Sequence, residues 1–441
     1  MPPEPLTRHI ASAVAQASFV DVHKNRLNAS QVRQLYEGKQ RCPLSSTDAI
    51  AVRQPELADL TNELRPMLGA FRSPTSDLVG NGLYTLTGSL ASPRLPSSEA
   101  YAKILVLAAS RIGAERVAEL LHGWIQGNGV RVFECVLLKG LLTNGKLRPV
   151  AGMELDTLSG SDSDLPRSFR IDPREHWHEQ FLRRAMVSLE YETVPGLYDP
   201  EVVRGNPPWP PASPVNPELA SVSFEGFCRA ISLETNNQVD WFIHWSDYGD
   251  VEAFFLNPGF SSRRKDASHS ATVSISEEQV RRSLHTHGLL KERPALDLSI
   301  ARWRKSKCAP TANEQLVELR IALESVLLSD DKGTSEKRHR LSTRGAWLLG
   351  ETYGQRETHF ETLRAVYAYA SSVIHGGTPK AAGGRDLERD VASAQDLCRD
   401  AILRLAAADK MPDSDDWSSL ILGGREITQA PAAAADAAGP S

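Results

Sequence analysis

The sequence contains little cysteine, and the cysteines it has are far apart. They stand at positions 42, 135, 228, 308 and 398. No two of them form the C-x-x-C pair of a zinc or redox site, and their odd number argues against a disulfide framework. This usage is typical of a reducing compartment, so we expect a cytoplasmic protein.

Long apolar runs and a positive net charge are also missing. The first residues lack the apolar core of a signal peptide, and no run is long enough to span a bilayer. The formal net charge is −5, so no overall positive field attracts nucleic acid, and such binding would need a local basic patch. We find no internal repeat and no glycine-rich phosphate loop. We therefore expect no membrane association.

The composition that remains is that of an ordinary globular chain. With 441 residues, of which 41% are apolar, the chain is long enough for two or three domains. We predict an α+β fold: a mixed α/β N-terminal region followed by an all-α antiparallel helical bundle. The predicted segments are a mixed N-terminal segment (1–96), an α/β region with a β-sheet (97–292), the bundle (295–410) and an acidic, then Ala/Pro-rich, largely disordered tail (411–441).

Local patterns organise the region before the bundle. Residues 97–126 have helical periodicity, which Gly113 divides into two helices. Alternation from Val130 predicts a strand that ends at Leu142, and Asn144-Gly145 predicts a hairpin back into 146–152. Two further strands are predicted at 220–233 and, rich in aromatic residues, at 239–256.

One pair of histidines resembles a metal-binding pattern. In a strand, His176 and His178 would lie on one face beside Glu179, but no third ligand follows at a known spacing. We favour the alternative in which Trp177 anchors a helix or turn and the histidines lie on its polar side. We expect no metal and no cofactor.

Helical spacing dominates from residue 295 onward. Apolar residues recur at intervals of three and four, and the connections are short enough for an antiparallel bundle. The predicted helices cover 295–306, 313–328, 336–349, 355–375 and 386–408. The fourth ends at His375, because Gly376 and Gly377 stop it.

Several segments of this bundle resemble the HEPN superfamily, and within it the Apea-like HEPN proteins of bacteria. The resemblance covers about 110 residues, 297–408, in which the matching segments occur in the expected order. They are Ala301-Arg302-Trp303, 319–325, 344–349, Arg356, Leu363, Val366-Tyr367 and 371–376.

The resemblance implies a helical module that commonly dimerises. Many HEPN proteins are metal-independent RNases of toxin–antitoxin and antiviral systems. Their Arg-x4–6-His motif uses the histidine on a ribose 2′-hydroxyl and the arginine to stabilise charge on the phosphorane-like transition state. The resemblance therefore assigns the catalytic role to His375.

The arginine of that motif is missing here. The three positions where it would stand are Ala370, Tyr369 and Ala368. The possible substitutes are Arg364 and Arg356, each approaching His375 of a second subunit in an antiparallel dimer. Loss of one preorganised charge-stabilising group typically costs on the order of 10²–10³ in rate, so we expect weak cleavage or none.

Other charged residues have a structural and a functional interpretation. Lys337, Arg338 and Arg340, with His339 between them, form the densest basic cluster and the best candidate for RNA phosphate contact; the alternative is a solvated helix face. Ser371 is a further candidate RNA contact. Arg320 and Glu324 are expected to pair at i,i+4, and Glu324 is also expected to order Arg344 or Arg356 through a buried ion pair.

Two classes of function follow. The first is an RNA-directed HEPN-like module of bacterial defence or stress response, either a weakened metal-independent endoribonuclease or a non-cleaving RNA-binding protein. The second is a catalytically inactive scaffold or sensor that dimerises through the bundle and binds a partner protein. A basic groove containing His375 favours the first class, and an apolar face there favours the second.

Overall fold

The structure is a computed structural model of the chain. It divides into two compact units, one of Met1–Leu138, Thr143–Ser221 and Phe242–Arg263, the other of Lys139–Leu142, Val222–Trp241 and Arg264–Ser441. The residues described are 4–20, 26–36, 50–51, 54–69, 83–87, 90–95, 98–126, 130–158, 184–193, 196–198, 213–247, 260–262, 272–330, 336–379 and 385–423.

The described strands are short apart from three. They are β1 (Ser18–Val20), β2 (Arg26–Leu27), β3 (Ile50–Ala51), β4 (Leu83–Thr87), β5 (Leu90–Leu95), β6 (Val130–Lys139), β7 (Leu141–Thr143), β8 (Met153–Thr157), β9 (Ala185–Thr193), β10 (Gly196–Tyr198), β11 (Ser213–Pro214), β12 (Asp240–Asp247), β13 (Phe260–Ser262) and β14 (Val273–Ile275).

The described helices fall into an N-terminal and a C-terminal group. They are α1 (Glu4–Gln16), α2 (Ala29–Tyr36), α3 (Gln54–Gly69), α4 (Ser98–Ile112), α5 (Ala114–Ile125), α6 (Phe224–Thr235), α7 (Glu277–Lys291), α8 (Asp297–Cys308), α9 (Ala312–Leu327), α10 (Lys337–Leu349), α11 (Tyr353–Ile374), α12 (Leu387–Ala406) and α13 (Ser414–Ser418). The fold is therefore α+β, with a mixed N-terminal region and C-terminal packed helices, as predicted.

The first unit contains an apolar helical cluster and an antiparallel sheet. Leu6, Ile10, Leu60 and Leu105 are fully buried in one cluster formed by α1, α3, α4 and α5. The main sheet has the order β11-β9-β6-β12-β13, and β8 also pairs with β9. β6 and β9 are antiparallel throughout their shared length. Gly113, at φ +95°, separates α4 from α5 as predicted.

Two of the strand predictions were wrong. Residues 224–235 are helix α6, because Ser223 caps its first turn by accepting a hydrogen bond from the Gly226 N–H at 3.1 Å and the apolar residues have helical spacing. The predicted hairpin after Thr143 does not form, although Gly145 has a turn conformation at φ +93°. Instead β7 pairs with the distant β14. The Asn144-Gly145 signal predicts the local backbone conformation, but it does not predict which strand pairs with β7.

Other predictions near this region have mixed outcomes. Strand β12 confirms the first part of the strand predicted at 239–256, and helix α7 follows β14. The remainder of 239–256 and the two histidines at 176 and 178 lie outside the described residues, as does the end of the tail from 424 onward.

The second unit buries one continuous core made by its helices. Three-residue connections join α8 to α9 (309–311) and α10 to α11 (350–352), so these contacting helices reverse direction. Trp303 is fully buried, and its indole N–H donates to the Gln395 carbonyl at 2.8 Å. The Gln395 amide donates in turn to the Ser306 carbonyl at 2.9 Å. These bonds join α8 to α12 and leave those buried polar groups satisfied.

Gly345 brings α10 close to α11. A Cβ built at this glycine would lie 2.4 Å from Leu363 Cδ1 and 3.2 Å from Leu327 Cδ1. Leu363 is fully buried, so its side chain has no free space into which to move. The absence of a side chain at position 345 is therefore a packing requirement.

Gly345→Ala is expected to destabilise the protein by about 1–3 kcal/mol, the usual cost of overpacking, despite the better helix propensity of alanine. Gly354→Ala is the matched control, because a Cβ there would meet nothing within 4 Å. Urea unfolding followed by circular dichroism measures both variants. A Gly345→Ala midpoint equal to or above that of Gly354→Ala would contradict the packing argument.

Candidate functional site

His375 caps the end of α11 and is exposed to solvent. Its N–H donates to the Ser371 carbonyl at 3.1 Å, and the Gly377 N–H donates to the Ser372 carbonyl at 2.8 Å. Gly376 takes φ +78°, a conformation that a residue with a side chain seldom adopts. The helix therefore stops as predicted, and the imidazole stands at an accessible helix end.

The three positions that lack the motif arginine differ in burial. Ala370 is fully buried in the core, and Tyr369 is 6% exposed with its hydroxyl donating to Asp390 at 3.2 Å. Only Ala368 is half-buried. Since it lies seven residues before His375, it is on nearly the same helix face, about 10 Å along the axis.

The two possible substitute arginines are engaged elsewhere. Arg364 pairs with Glu361 at 3.1 Å, and its guanidinium lies 5.8 Å from the ring centroid of Phe360. Arg356 donates from Nε to the Gly350 carbonyl at 2.8 Å, and its guanidinium carbon lies 4.0 Å from the ring centroid of Trp347. They lie about 16 Å and about 28 Å from His375 along α11. One chain therefore does not bring either of them to the histidine.

The basic cluster occupies the first turn of α10. Lys337, Arg338 and Arg340 begin this helix, whose cap residue Glu336 makes no side-chain capping bond and whose first turn has no acidic residue. Cations here face the positive end of the helix dipole, and that combination favours an anion from outside.

A contact between helices extends this cationic surface. The ring of His339 meets Phe360 of α11 edge-on, with 5.7 Å between ring centroids. Because Arg364 lies against the same Phe360 ring, His339 of α10 and Arg364 of α11 share one surface. Ser371 is half-buried at the far end of α11, where its carbonyl accepts the N–H of His375.

Arg320 and Glu324 form the predicted pair. Arg320 Nε donates to the Glu324 carboxylate at 2.7 Å, and its other nitrogen donates to the Tyr367 hydroxyl at 3.0 Å. Burial raises the pKa of Tyr367, and the neighbouring Glu324 carboxylate raises it further. The phenol therefore stays neutral and is held between the two charged groups.

The predicted ordering of Arg344 or Arg356 by Glu324 was wrong. Arg344 binds Asp330 through two hydrogen bonds, at 2.6 and 3.0 Å, and donates to the Leu327 carbonyl at 2.8 Å. Asp330 lies beyond the end of α9 and pairs with Arg344 of α10. Glu324 lies inside α9 and does not pair with Arg344. Helical periodicity places Glu324 but does not reveal its partner on another helix.

Arg385 was missed by the sequence analysis. It precedes α12 and forms two hydrogen bonds to Asp390, at 2.8 and 2.9 Å. Because Asp390 accepts these hydrogen bonds, the pKa of the Arg385 guanidinium is raised and the group remains charged. Tyr369 of α11 shares the same carboxylate. The i,i+5 spacing of Arg385 and Asp390 across a helix start is the only local signal of this pair.

A groove of about 360 Å³ lies between α8, α9 and α10. Its walls combine apolar and polar side chains, which is typical of small-molecule sites of this size. The lining residues are Ala295, Leu298, Glu324, Ser325, Leu328, Ser329 and Lys337. The groove thus joins the Arg320–Glu324 pair to the first residue of the basic cluster.

Two features are absent from the part of the chain that the structure describes. No group of three or more His, Cys, Asp or Glu side chains within it is arranged to hold a metal ion. None of the helices there has the length and hydropathy that a membrane crossing requires.

The Arg344–Asp330 pair makes stability depend on pH. Burial acts to raise the pKa of Asp330, but the hydrogen bonds and charge of Arg344 outweigh it and hold the pKa below its ordinary value. As the pH falls, the Asp330 carboxylate of the unfolded chain takes up a proton before that of the folded chain does. The contribution of the pair to the free energy of unfolding is therefore complete above the ordinary Asp pKa of about 3.9. It is lost as the pH falls through the lower pKa of the folded state.

Asp330→Asn is expected to lower the free energy of unfolding at neutral pH by about 3–5 kcal/mol, the usual cost of leaving a buried charge unpaired. The loss should shrink as the pH falls below about 4, because the unfolded wild-type carboxylate then takes up a proton and the advantage of the charged pair declines. Chemical denaturation at several pH values measures both effects. Asp409→Asn, at an exposed position, is the control, and an equal effect in both variants would contradict the assignment.

Comparison with known proteins adds no relative to this picture. No family model, no curated protein and no solved structure matches the chain.

Proposed function

We propose that the C-terminal helical unit binds single-stranded RNA and, as a single chain, cleaves it weakly or not at all. The observation that carries the proposal is the cationic surface at the start of α10. There Lys337, Arg338 and Arg340 meet an uncapped helix N-terminus. Phosphate oxygens accept hydrogen bonds from helix N-terminal N–H groups and are attracted by neighbouring cations.

The sequence resemblance to HEPN proteins supports the same partner. It contributes RNA as the ligand, His375 as the reactive group and bacterial defence or stress response as the setting. The accessible position of His375 at the end of α11 suits a base that acts on a 2′-hydroxyl. The distances of Arg364 and Arg356 from it support weak catalysis, unless a second copy supplies one of them.

A protein-interaction scaffold is the second candidate. Ile374, beside His375, is 51% exposed, and Tyr353 at the other end of α11 is 80% exposed. The apolar side chain exposed beside His375 could be covered by a second copy in a homodimer or by another protein. RNA binding that is absent at every salt concentration would favour this candidate.

The RNA proposal predicts a defined salt dependence. Fluorescence anisotropy of a labelled single-stranded RNA with the full chain is measured over a range of KCl concentrations. Arg338→Ala/Arg340→Ala is expected to reduce the slope of log K against log salt by about 0.7 per lost phosphate contact, about 1.4 for the pair. Arg281→Ala/Arg282→Ala, on α7, is the control and should leave the slope unchanged. Equal slopes in all three proteins would contradict the proposed surface.

Cleavage can be tested by restoring the missing arginine. Position 370 is unsuitable, because Ala370 is fully buried, so the variant is Ala368→Arg. With metal chelated, it should raise RNA cleavage by on the order of 10²–10³. Ala368→Lys should raise it less, since an ammonium lacks the planar fork of donors.

The double variant Ala368→Arg/His375→Ala separates the role of the histidine. It should return cleavage to the wild-type level or below, because the base is removed. If Ala368→Arg folds and binds RNA yet leaves it intact, His375 is not the reactive residue. If the double variant cleaves as fast as Ala368→Arg, the activity does not depend on His375.

A further inference from the structure

The groove between α8, α9 and α10 has an apolar wall and a polar wall. Leu298 is 51% exposed there, whereas Leu328, another lining residue, is 7% exposed. Together with the exposed Ala295 they give the groove an apolar side that can pack against a flat apolar or aromatic group. The volume of about 360 Å³ falls within the range of sites for small molecules.

One end of the groove suits an anion. Lys337 lines it and is the first residue of α10, whose first-turn N–H groups have no side-chain cap. Among the residues that the structure describes, no carboxylate pairs with Lys337. A phosphate bound there would meet both the ammonium and the positive end of the helix.

Glu324 supplies a negatively charged group to the lining of the same groove. Its carboxylate accepts one hydrogen bond from Arg320, and its side chain remains 26% exposed. A carboxylate offers about four acceptor positions, so acceptor capacity remains after Arg320 and the neighbouring Tyr367 hydroxyl are counted. Ser325 and Ser329 add hydroxyls to the same wall.

These features together match one nucleotide better than the others. Guanine alone presents two adjacent N–H donors, N1–H and N2–H2, on its Watson–Crick edge, and a carboxylate is their natural acceptor. Adenine, cytosine and uracil each present an acceptor where guanine presents one of its donors. A base that leaves an acceptor facing the carboxylate loses affinity.

We infer that this groove binds a guanosine phosphate, with the base against Leu298 and Leu328, its N–H donors at Glu324 and its phosphate at Lys337. The inference deepens the proposed RNA function and rests on it for one source of the ligand, an unstacked guanosine of single-stranded RNA. The other source with the same chemistry is a free guanine nucleotide.

Isothermal titration of the full chain with GMP, AMP, UMP and inorganic phosphate tests the base. GMP should bind at least about tenfold more tightly than AMP or UMP, the smaller end of the discrimination that paired hydrogen bonds give. Phosphate alone should bind more weakly than GMP, because it engages only the Lys337 end. Equal affinity for all three nucleotides would overturn the assignment of guanine.

Two variants test the walls. Glu324→Gln should abolish the preference for GMP, since an amide places a donor against the guanine donors; Glu318→Gln, a glutamate of the same helix paired with Arg302 and outside the groove, should retain it. Lys337→Ala should weaken GMP by about tenfold, the order expected for one charge-assisted contact, whereas Lys291→Ala on α7 should not. Thermal melts confirm that each variant is folded before its affinity is compared.

An RNA arm separates this inference from the proposed function. An oligouridine with one central guanosine is compared with the same oligouridine without it. Tighter binding of the guanosine oligomer places the ligand in RNA, whereas GMP binding with equal oligomer affinities identifies the free nucleotide. If RNA binds but neither GMP nor the guanosine oligomer shows a preference, the inference fails and the RNA proposal stands. If nothing binds, both fail.

Discussion

The buried guanidinium of Arg344 is the interaction on which the arrangement of the C-terminal helices depends. Its side chain is 6% exposed, so its charge must be fully satisfied inside the protein. Asp330 and the Leu327 carbonyl satisfy it at the end of α9, and the Trp417 ring lies 5.0 Å from it. One residue of α10 thus fixes where α9 ends and where the C-terminal segment lies. Both the groove and the basic first turn of α10 depend on that geometry.

The proposed functions use helix ends, where backbone groups are left unsatisfied. The start of α10 presents unpaired N–H groups beside cations, and the end of α11 presents His375 where two glycines stop the helix. The helix interiors supply the rigid positions between them. Gly345 contributes by holding α10 close to α11, which keeps His339 against Phe360. The surface is therefore preorganised by core packing and not by the charged residues themselves.

The predictable parts of this molecule are those that local spacing determines. The C-terminal helices and the stop after His375 follow from periodicity and glycine, and the structure has them within a few residues of the predicted bounds. The strand prediction over 224–235 was wrong because the helical spacing of the apolar residues and the Ser223 cap favour a helix there. Ion pairs that reach beyond a single helix were not predictable: Arg344 of α10 pairs with Asp330 after α9, and Arg385, which precedes α12, pairs with Asp390 inside it. The groove was missed for the same reason, since its walls come from three helices and no single segment encodes its shape.

The two apolar clusters can be completed at different times during translation of the chain. The N-terminal cluster draws its buried residues from Leu6 to Leu121, so it can be completed while the ribosome is still translating later segments. The helical cluster needs Ala230 and Leu233 at one extreme and Trp417 and Leu420 at the other. Helix α6 packs against α7, which emerges soon after it, but the rest of this cluster is complete only when Trp417 and Leu420 have been synthesised. During that interval the nascent chain exposes a surface that chaperones recognise, and the stacking of Trp417 near Arg344 is among the last contacts to form.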